Sequence, residues 1–495
     1  MHIPVFLALV LCLLTGCGMN GKEPITSFEQ LGKAGTAIGV GSDLPQWKTL
    51  QEDYPEAEVI AITDKPLAYE DVANGRMDAF VGARREMELA MENGTTGVRL
   101  LDEDYGKNTV AVGLSPKSSI PDIQKKINTF ITEMKADGTL DDMYERWVVQ
   151  ADYTMPEIDM PEHPEYHLRV GTTGTVMPYS YFVGTELYGY DIELAYRFAA
   201  WLGADIEFKI YDFGGIVTAA AAGDVDCIMS NLYRTEENEK QIPFSDSIFD
   251  VAITAMVQDT GTMVQNGSFW SSVADSFEKT FLRENRWKLF LQGIGTTLLI
   301  TVLSILFGTL LGFIVFMLCR NGNPVANTIT RFFVWLVRGM PAVVLLMILY
   351  YVIFGNVAIS GTAVSVTGFT LVFAAGVYGT IKSGVNAIDP GQLEAAYSLG
   401  YTNRRAFYRV ILPQAVPHFM PAYKSSITEI IKATAIVGYV AVQDLTKMGD
   451  IVRSRTYEAF FPLIAVAVIY FILAAVLTFI VNCVELHIDP KRRRE

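Results

Sequence analysis

Residues 391–421 read GQLEAAYSLGYTNRRAFYRVILPQAVPHFMP and join two apolar stretches of the chain. EAAYSL is typical of a short helix whose small residues form one face and allow close docking. Gly400 can adopt a positive φ, which ends a helix without steric cost. The segment RRAFYRVIL predicts a second amphipathic turn, which leads into Pro413 and the next apolar stretch. These residues therefore predict a helix–turn–helix in a loop between two membrane spans.

The sequence outside this loop is unusually apolar. Of 495 residues, 51% are hydrophobic and only 19% charged, with a mean hydropathy of +0.27. An uncharged stretch at 289–318 is long enough to cross a bilayer. Four further candidates bring the predicted number of spans to five: 332–354, 368–381, 418–442 and 459–484. We therefore expect a soluble region followed by an all-α membrane domain of five transmembrane helices.

Charge is divided unevenly along the chain. Residues 1–300 have a net charge of −22 and residues 301–495 one of +7, which gives −15 in total. The acidic part would repel phosphates, so nucleic acid is excluded as a partner. The basic tail at 491–494 predicts a cytoplasmic C-terminus. With five spans, the N-terminal part lies outside the cytoplasm.

The N-terminus is typical of an exported protein. Residues 3–14, IPVFLALVLCLL, form an apolar run that is too short to span comfortably and is typical of a signal peptide. Leu14-Thr15-Gly16-Cys17 resembles a bacterial lipobox, so we expect a lipoprotein signal at 1–16 and lipid on Cys17. The alternative is an uncleaved anchor. The five cysteines show neither a metal-ligand spacing nor a disulfide framework.

The loop resembles the EAA loop of ABC import permeases in Glu394-Ala395-Ala396, Gly400 and Ile411-Leu412-Pro413. Arg338-Gly339-Met340-Pro341, Gly293-x-x-Thr296-Thr297-Leu298 and Ile431-Lys432-Ala433-Thr434 resemble the polar amino-acid subfamily. The resemblance implies that 289–484 is a permease domain with its coupling loop at 391–417. It also implies that Glu394, Ala395 and Gly400 contact a cytoplasmic ATPase dimer. Because one permease half cannot enclose a pathway, we expect a second permease copy in a homodimer, or a related permease in a heterodimer. No Walker motif is present, so ATP hydrolysis falls to a separate subunit.

The predicted fourth span carries three charges, Lys424, Glu429 and Lys432. Charged groups are costly in lipid and should face protein or water, which favours a transport path. Snorkelling, or an i,i+3 pair of Glu429 with Lys432, is an equal alternative. The subfamily pattern is interrupted at Ala433 and at Ala435-Ile436, so its pore residues do not carry over.

Residues 25–258 alternate short strand-like and helical patterns, which indicates an α/β fold. They resemble type II periplasmic solute-binding proteins of polar amino-acid importers, but in a permuted order. Residues 167–260 resemble the first lobe of that family. Residues 17–148 resemble its second lobe plus the helices that return to the first. We therefore expect a circularly permuted, two-lobed domain, an acidic Pro-containing linker at 149–166 that is solvated, a pre-membrane segment at 261–288 and a basic tail at 485–495.

The same resemblance implies a ligand site in the cleft. Tyr179 would pack on the solute, small polar groups would bind its polar ends, and Gly41 and Ser42 would offer backbone N–H groups to a carboxylate. The family's carboxylate-binding Arg is replaced by Asn238 and its ammonium-binding Asp by Ala83, with Arg84 adjacent. Arg234 is a candidate substitute, although solvated surface is the favoured alternative for both arginines. The predicted set is Gly41, Ser42, Arg84, Tyr179, Ser230, Asn231, Tyr233, Arg234, Thr235 and Asn238.

These features predict the membrane subunit of an ABC importer for an amino acid or related polar solute. A ligand-gated channel or receptor with a binding-protein fold is the alternative, but neither has an EAA loop. An enzyme is disfavoured, because the chain has no nucleophile elbow, phosphate loop or His cluster. We expect no cofactor and no metal.

Overall fold

A computed structural model of the chain describes residues 24–259, 269–320, 322–355, 357 and 359–488. They divide into two compact units, one within Met1–Asn108 and Val251–Gly267 and the other within Thr109–Asp250 and Ser268–Glu495. We use "lobe B" for 24–108 with 251–259, "lobe A" for 109–250, and "permease domain" for 269–488. Lobe A and the permease domain belong to the same unit.

Lobe B is a small α/β sandwich. After a 3-10 turn at Phe28–Gly32, its strands are β1 Ala37–Gly41, β2 Glu58–Ile62, β3 Ala79–Ala83 and β4 Val98–Leu100. Its helices are α1 Gln46–Asp53, α2 Lys65–Ala73 and α3 Arg84–Glu92. β1 pairs in parallel with β2 and β3, which is the arrangement expected of strands joined by helices. The end of a later strand, Phe244–Gln258, pairs antiparallel with β3 and β4.

Lobe A is also α/β, and strands β5 and β12 continue into lobe B. Its strands are β5 Gly106–Leu114, β6 Tyr166–Thr172, β7 Thr175–Val176, β8 Ser180–Val183, β9 Glu186–Tyr188, β10 Ala204–Ile210, β11 Cys227–Ile228 and β12 Phe244–Gln258. Its helices are α4 Ile123–Ala136, α5 Thr139–Tyr144, a π-turn at Glu145–Val149, α6 Tyr190–Leu202, α7 Phe213–Ala222 and α8 Glu236–Glu239. The sheet order is β10-β6-β11-β5, and β7-β8-β9 form a separate small sheet.

The helices that precede the linker pack on lobe A. Trp147 is fully buried, and its Nε1 donates to Glu193 Oε2 at 2.6 Å, while Arg146 pairs with the same carboxylate at 2.5 Å. Gln124 Nε2 donates to the Phe244 carbonyl at 2.8 Å. These contacts join residues before the linker to residues after it.

The acidic linker is less solvated than we expected. Its apolar residues Met155, Pro156 and Met160 line a cavity of about 660 Å³ on lobe A. Arg146 also donates to the Thr154 carbonyl at 2.9 Å. The apolar residues that alternate with the five carboxylates hold the linker against lobe A. The linker is therefore packed on the folded domain and is not a freely solvated connection.

The permease domain is entirely helical where it is described. Its helices are α9 Phe269–Phe277, α10 Trp287–Arg320, α11 Pro324–Gly339, α12 Ala342–Met347, α13 Gly361–Asn386, α14 Pro390–Ser398, α15 Asn403–Ala406, α16 Leu412–Ala433, α17 Leu445–Thr456 and α18 Phe461–Ile488. π-turns cover Glu278–Leu282, Ile348–Ile353 and Phe407–Ile411, and 3-10 turns cover Arg283–Asn285 and Thr434–Val440.

Three helices, α10, α13 and α18, are long and apolar enough to cross a membrane, and the number reaches five if each of two bent pairs is one span. The first pair, α11 with residues Ala342–Ile353, bends by 110° next to Pro341. The second pair consists of the helical segment Asn403–Val440 and helix α17, and the chain bends by 61° between them. The apolar pattern of the sequence predicted the positions of these two segments along the chain, but it did not predict that each one is bent. The span expected at 368–381 is longer, because α13 already begins at Gly361.

Close helix packing holds the permease core together. A Cβ on Gly308 would lie 2.9 Å from Phe373, and one on Gly312 would lie 2.8 Å from the Ala374 carbonyl. Small residues four positions apart let α10 approach α13 this closely, which is a common way for membrane helices to associate. α10 and α13 thus form the central pair of the domain.

Candidate functional site

The coupling loop is built by local signals that the sequence already contains. α14 starts at Pro390, and the Asp389 side chain caps it by accepting from the Gly391 N–H at 2.7 Å. It ends at Gly400, whose φ of +79° lies in the left-handed region. The Gly400 N–H donates to the Tyr397 carbonyl at 2.9 Å. This arrangement satisfies the end of the helix and turns the chain.

The loop presents one face to solvent. Ala396 is buried against the domain, whereas Glu394 and Ala395 are exposed. Leu399 is 78% exposed and Tyr397 45% exposed. A carboxylate next to two large exposed apolar side chains is typical of a surface that binds another protein.

The second half of the loop is fixed to the end of α10. Phe407 is buried, and the Arg320 guanidinium lies 4.0 Å from the centre of its ring. Arg320 also donates to Asn403, and Gln414 Nε2 donates to Gln392 Oε1 at 3.2 Å. The loop is therefore in direct contact with the end of α10 and with the start of α16.

The predicted ligand residues of lobe A cluster, but several already have partners within the protein. Tyr179 is 1% exposed and stacks on Phe249, with the ring centroids 5.6 Å apart. Tyr190 approaches Phe249 edge-on, at 5.1 Å. Phe249 therefore covers one face of the ring that the resemblance assigns to packing on the solute. Sequence reasoning missed Phe249, because it lies 70 positions away in a strand with no distinctive motif.

The polar groups after β11 form a buried network. Ser230 Oγ accepts from the Thr173 N–H at 3.1 Å and lies 2.9 Å from Thr173 Oγ1. The Asn231 N–H donates to Asp191 Oδ2 at 2.6 Å, and Asn231 Nδ2 lies 3.3 Å from the Tyr233 hydroxyl. Burial raises the pKa of Asp191 to about 7, although the Asn231 N–H favours its ionised form. Asp191 is a second residue that the sequence did not single out.

Arg234 and Thr235 directly precede the small helix α8, and Asn238 lies within it. Arg234 Nε pairs with Glu239 Oε1 at 2.5 Å, and its side chain is 46% exposed. Thr235 caps α8 by accepting from the Asn238 N–H at 3.1 Å, and Asn238 Nδ2 donates to the Tyr233 carbonyl. These contacts stabilise the start of α8. The half-exposed Arg234 side chain is consistent with the interpretation that it belongs to the solvated surface.

Lobe B corrects one expectation directly. The Ser42 N–H donates to the Ile62 carbonyl at 2.9 Å, so the sheet already uses the amide that we expected to bind a carboxylate. Gly41 lies buried in β1, where a Cβ would meet Asp43 Oδ1 at 2.6 Å. The glycine therefore serves a close approach to Asp43, which itself pairs with Lys65 at 3.0 Å.

Arg84 is neither solvated surface nor an open anion site. Its guanidinium pairs with Asp104 Oδ1 at 2.6 Å and donates to the carbonyls of Leu101, Asp102 and Glu103. These bonds hold the loop after β4. The solvated-surface interpretation therefore does not hold for this side chain, while its place in the ligand site stays a prediction.

The i,i+3 pair of Glu429 with Lys432, which the sequence offered as one alternative, does not form on α16. Lys424 forms an ion pair with Glu485 on α18, a contact between residues 61 positions apart. Glu429 and Lys432 are exposed on the helix surface. Cys17 and the predicted signal lie outside the described residues, and no cluster of metal-ligating side chains occurs within them.

Comparisons with known proteins identify the membrane part. Residues 305–494 match the family described as binding-protein-dependent transport system inner membrane component. The putative glutamine transport system permease protein GlnP of Rickettsia bellii is 32% identical over 197 residues, which are 39% of this chain and 90% of the relative. The arginine transport system permease protein ArtQ of Bacillus subtilis is 34% identical over 207 residues, with coverages of 39% and 90%.

Two solved structures are similar to portions of the chain. The crystal structure of an amino acid ABC transporter with histidines has 29% identity and a TM-score of 0.39, and covers 45% of this chain and all of that chain. The arginine-bound form of ArgBP from T. maritima has 8% identity and a TM-score of 0.25, with coverages of 47% and 92%.

The relatives are transport-system permeases, which agrees with the EAA loop and with the apolar helices, and nothing in the comparisons favours a channel or an enzyme. The chain belongs to the family of binding-protein-dependent transport system inner membrane components, as a multi-pass permease of the bacterial inner membrane that carries an N-terminal α/β domain.

Proposed function

We propose that this chain captures an amino acid or a related small polar solute on its α/β domain and passes it through its own permease domain. A separate cytoplasmic ATPase drives the transfer. The names of the related permeases, which mention glutamine and arginine, support this class of solute.

The observation that carries the proposal is that lobe A and the coupling loop lie at opposite ends of α10. Leu289 and Phe290, at the start of α10, share an apolar cluster with Phe182 and Ile210 of lobe A. Arg320, at its other end, contacts Asn403 and Phe407 of the coupling loop. A helix of 34 residues is about 50 Å long, more than the thickness of the hydrocarbon core.

This separation supports an orientation with lobe A outside and the coupling loop in the cytoplasm. The basic tail at 491–494 favours the same orientation. Lipid on Cys17 would tie the N-terminus to the outer face of the same membrane. Mass spectrometry of the mature N-terminus tests that modification.

The surface of α16 supports a second permease copy. His418, Ser425, Glu429 and Lys432 are exposed in the single chain and follow one face of a helix that belongs to a candidate span. Charged groups at membrane depth face protein or water, not lipid. A homodimer would bring two such faces together around a pathway.

The lobe A residues Tyr179, Ser230, Asn231 and Tyr233 are the proposed solute contacts. Because Phe249 already stacks on Tyr179, we propose a solute with a small side chain. Arg84 and Arg234 already pair with carboxylates, which argues against the bidentate arginine clamp typical of a zwitterion site.

We also propose that the α/β domain is a circular permutation. Helices α4 and α5 and the Trp147 turn precede the linker, yet they pack on α6 and β12, which follow it. In a permuted binding protein, these helices would be the family's C-terminal return to its first lobe.

Reconstitution tests the proposed function. Proteoliposomes that contain the full chain and its partner ATPase should accumulate one of a panel of carbon-14 L-amino acids when ATP is present. Gly400→Val provides the matched inactive control. If ATP drives no accumulation of any amino acid or small organic acid in the panel, or if uptake proceeds without the ATPase, the importer assignment fails.

A further inference from the structure

A buried lysine of the permease domain is bound to lobe A. The Lys447 side chain on α17 is only 4% exposed, and its Nζ lies 3.0 Å from Asp212 Oδ1. The same ammonium donates to the Tyr211 carbonyl at 2.9 Å. Because Asp212 is 30% exposed, the pair is half-buried, and together with the bond to the Tyr211 carbonyl it gives the Lys447 ammonium two partners on lobe A.

The backbones of lobe A and the permease domain also touch at this point. The Asp212 N–H donates to the Gly438 carbonyl at 3.2 Å. A Cβ on Gly438 would lie 2.1 Å from Asp212 Oδ2, and one on Gly215 would lie 3.2 Å from the Tyr439 carbonyl. Glycine on each side therefore allows α7 to sit directly on the turn at Thr434–Val440.

A second polar cluster lies beside the first. The Tyr350 hydroxyl of the permease domain donates to Asp224 Oδ2 at 2.6 Å. The same carboxylate of lobe A binds Lys209 Nζ at 2.6 Å and the Tyr211 hydroxyl. The negative charge of Asp224 and burial both raise the pKa of Tyr211, so this hydroxyl stays protonated and continues to donate.

Apolar and aromatic contacts extend the interface toward β7–β9. Phe182 and Ile210 of lobe A belong to one buried cluster with Leu445, Met448 and Val452 of α17. The Arg455 guanidinium lies 5.1 Å from the centre of the Tyr181 ring and also pairs with Glu284 at 2.8 Å. The interface thus combines an apolar cluster with buried polar contacts, a composition that is typical of stable contacts between protein surfaces.

We infer that lobe A stays seated on the permease domain throughout the transport cycle and thereby covers the surface on which a free binding protein would deliver solute. This inference rests on the proposed function, because the uptake measurement that tests it requires the chain to be an importer. The chain then acts as a dedicated importer whose receptor does not dissociate.

A disulfide across the interface tests the inference in the full chain. Gly215→Cys with Tyr439→Cys is suitable, because a Cβ on Gly215 would lie 3.5 Å from the Tyr439 Cα. The two Cα atoms are then at most about 5 Å apart, which is compatible with the Cα–Cα distance of a disulfide. The background carries Cys483→Ser, since Cys483 is exposed. Gly295→Cys with Tyr439→Cys is the matched control, because nothing lies within 4 Å of a Cβ on Gly295.

Oxidised membranes should contain the intramolecular disulfide in most chains of the test pair and in few chains of the control. ATP-driven uptake of a carbon-14 L-amino-acid mixture should stay within twofold of the same sample after reduction. The inference is overturned if the disulfide does not form. It is equally overturned if the locked chain stops transporting and recovers on reduction.

Hydrogen exchange on the unmodified chain covers the case in which the cysteine variant does not fold. Amides of residues 211–216 and 434–440 should stay protected, without a change in rate beyond twofold, when ATP and the ATPase are added. Faster exchange in both segments during turnover would show that lobe A lifts off. If protection persists but no solute is taken up, the proposed function fails while the seated lobe stands.

Discussion

The rings of Tyr179 and Phe249 lie face to face in lobe A, with centroids 5.6 Å apart and an angle of 12° between the planes. Tyr144 and Tyr190 also approach Phe249, each with a centroid distance of 5.1 Å. One face of the Tyr179 ring is therefore already covered by a side chain of the protein itself.

Replacing Phe249 should change the solutes that bind. Phe249→Ala frees one face of Tyr179, so solutes with large apolar or aromatic side chains should bind about tenfold more tightly. Thermal shift of the purified full chain with L-alanine, L-leucine and L-phenylalanine measures this. Phe249→Tyr keeps the stack and is the control. An unchanged ranking of the three ligands in the alanine variant would argue against this role.

The coupling loop should be sensitive to backbone strain at one position. A side chain at Gly400, where φ is +79°, costs roughly 1–2 kcal/mol in the left-handed region. Gly400→Val and Glu394→Lys should each abolish ATP-driven uptake while leaving solute binding unchanged. Gly339→Ala is the control, because nothing lies within 4 Å of its added Cβ. Normal uptake in both test variants would remove the coupling role.

The ion pair between Lys424 and Glu485 should stabilise the permease domain. Lys424→Met leaves the Glu485 carboxylate, which is 7% exposed, without its cation and should cost about 3–5 kcal/mol. The double variant Lys424→Met with Glu485→Leu should recover most of the lost thermal stability in detergent. Strictly additive losses in the double variant would show that the two side chains do not interact.

Asp191 should make lobe A less stable as the pH rises. Its pKa is about 7 in the folded protein and about 3.9 when unfolded. Between these values, the folded state binds the extra proton, so stability falls as the pH increases from about 4 to about 7, by at most ~1.4 kcal/mol per unit. Asp191→Asn should flatten this slope.

Melting temperatures of the detergent-purified full chain at pH 5 and pH 7 provide the measurement for Asp191. Asp141→Asn, an exposed position on α5, should keep the parent slope. An equal slope in the Asp191→Asn variant would mean that another group titrates in this range.

The order of the α/β domain can be tested by rearranging it. Residues 167–258 alone lack Trp147 and Arg146, which bind Glu193, so this fragment should fold poorly, as should 25–148 alone. A chain built as 165–258, a short linker and then 25–148 should unfold cooperatively and retain solute binding. Two independently stable fragments would contradict the permuted single domain.

Much of the architecture is encoded locally and was therefore predictable. The cap at Asp389, the turn at Gly400 and the alternation of strands and helices in lobe B depend on residues within a few positions of each other. Apolar runs likewise placed the long helices α10 and α18, because crossing a bilayer requires only length and hydropathy.

Other features depend on which residues, far apart in the sequence, come into contact in the folded chain. The sequence alone does not show which of them become partners. The sequence predicted that the Ser42 N–H would bind a solute, but in the folded chain this N–H donates to the Ile62 carbonyl of β2. Lys424 pairs with Glu485 on another helix, and Lys447 pairs with Asp212 of lobe A. A buried charge is stable only beside its partner, and the folded chain sets which partners come within reach.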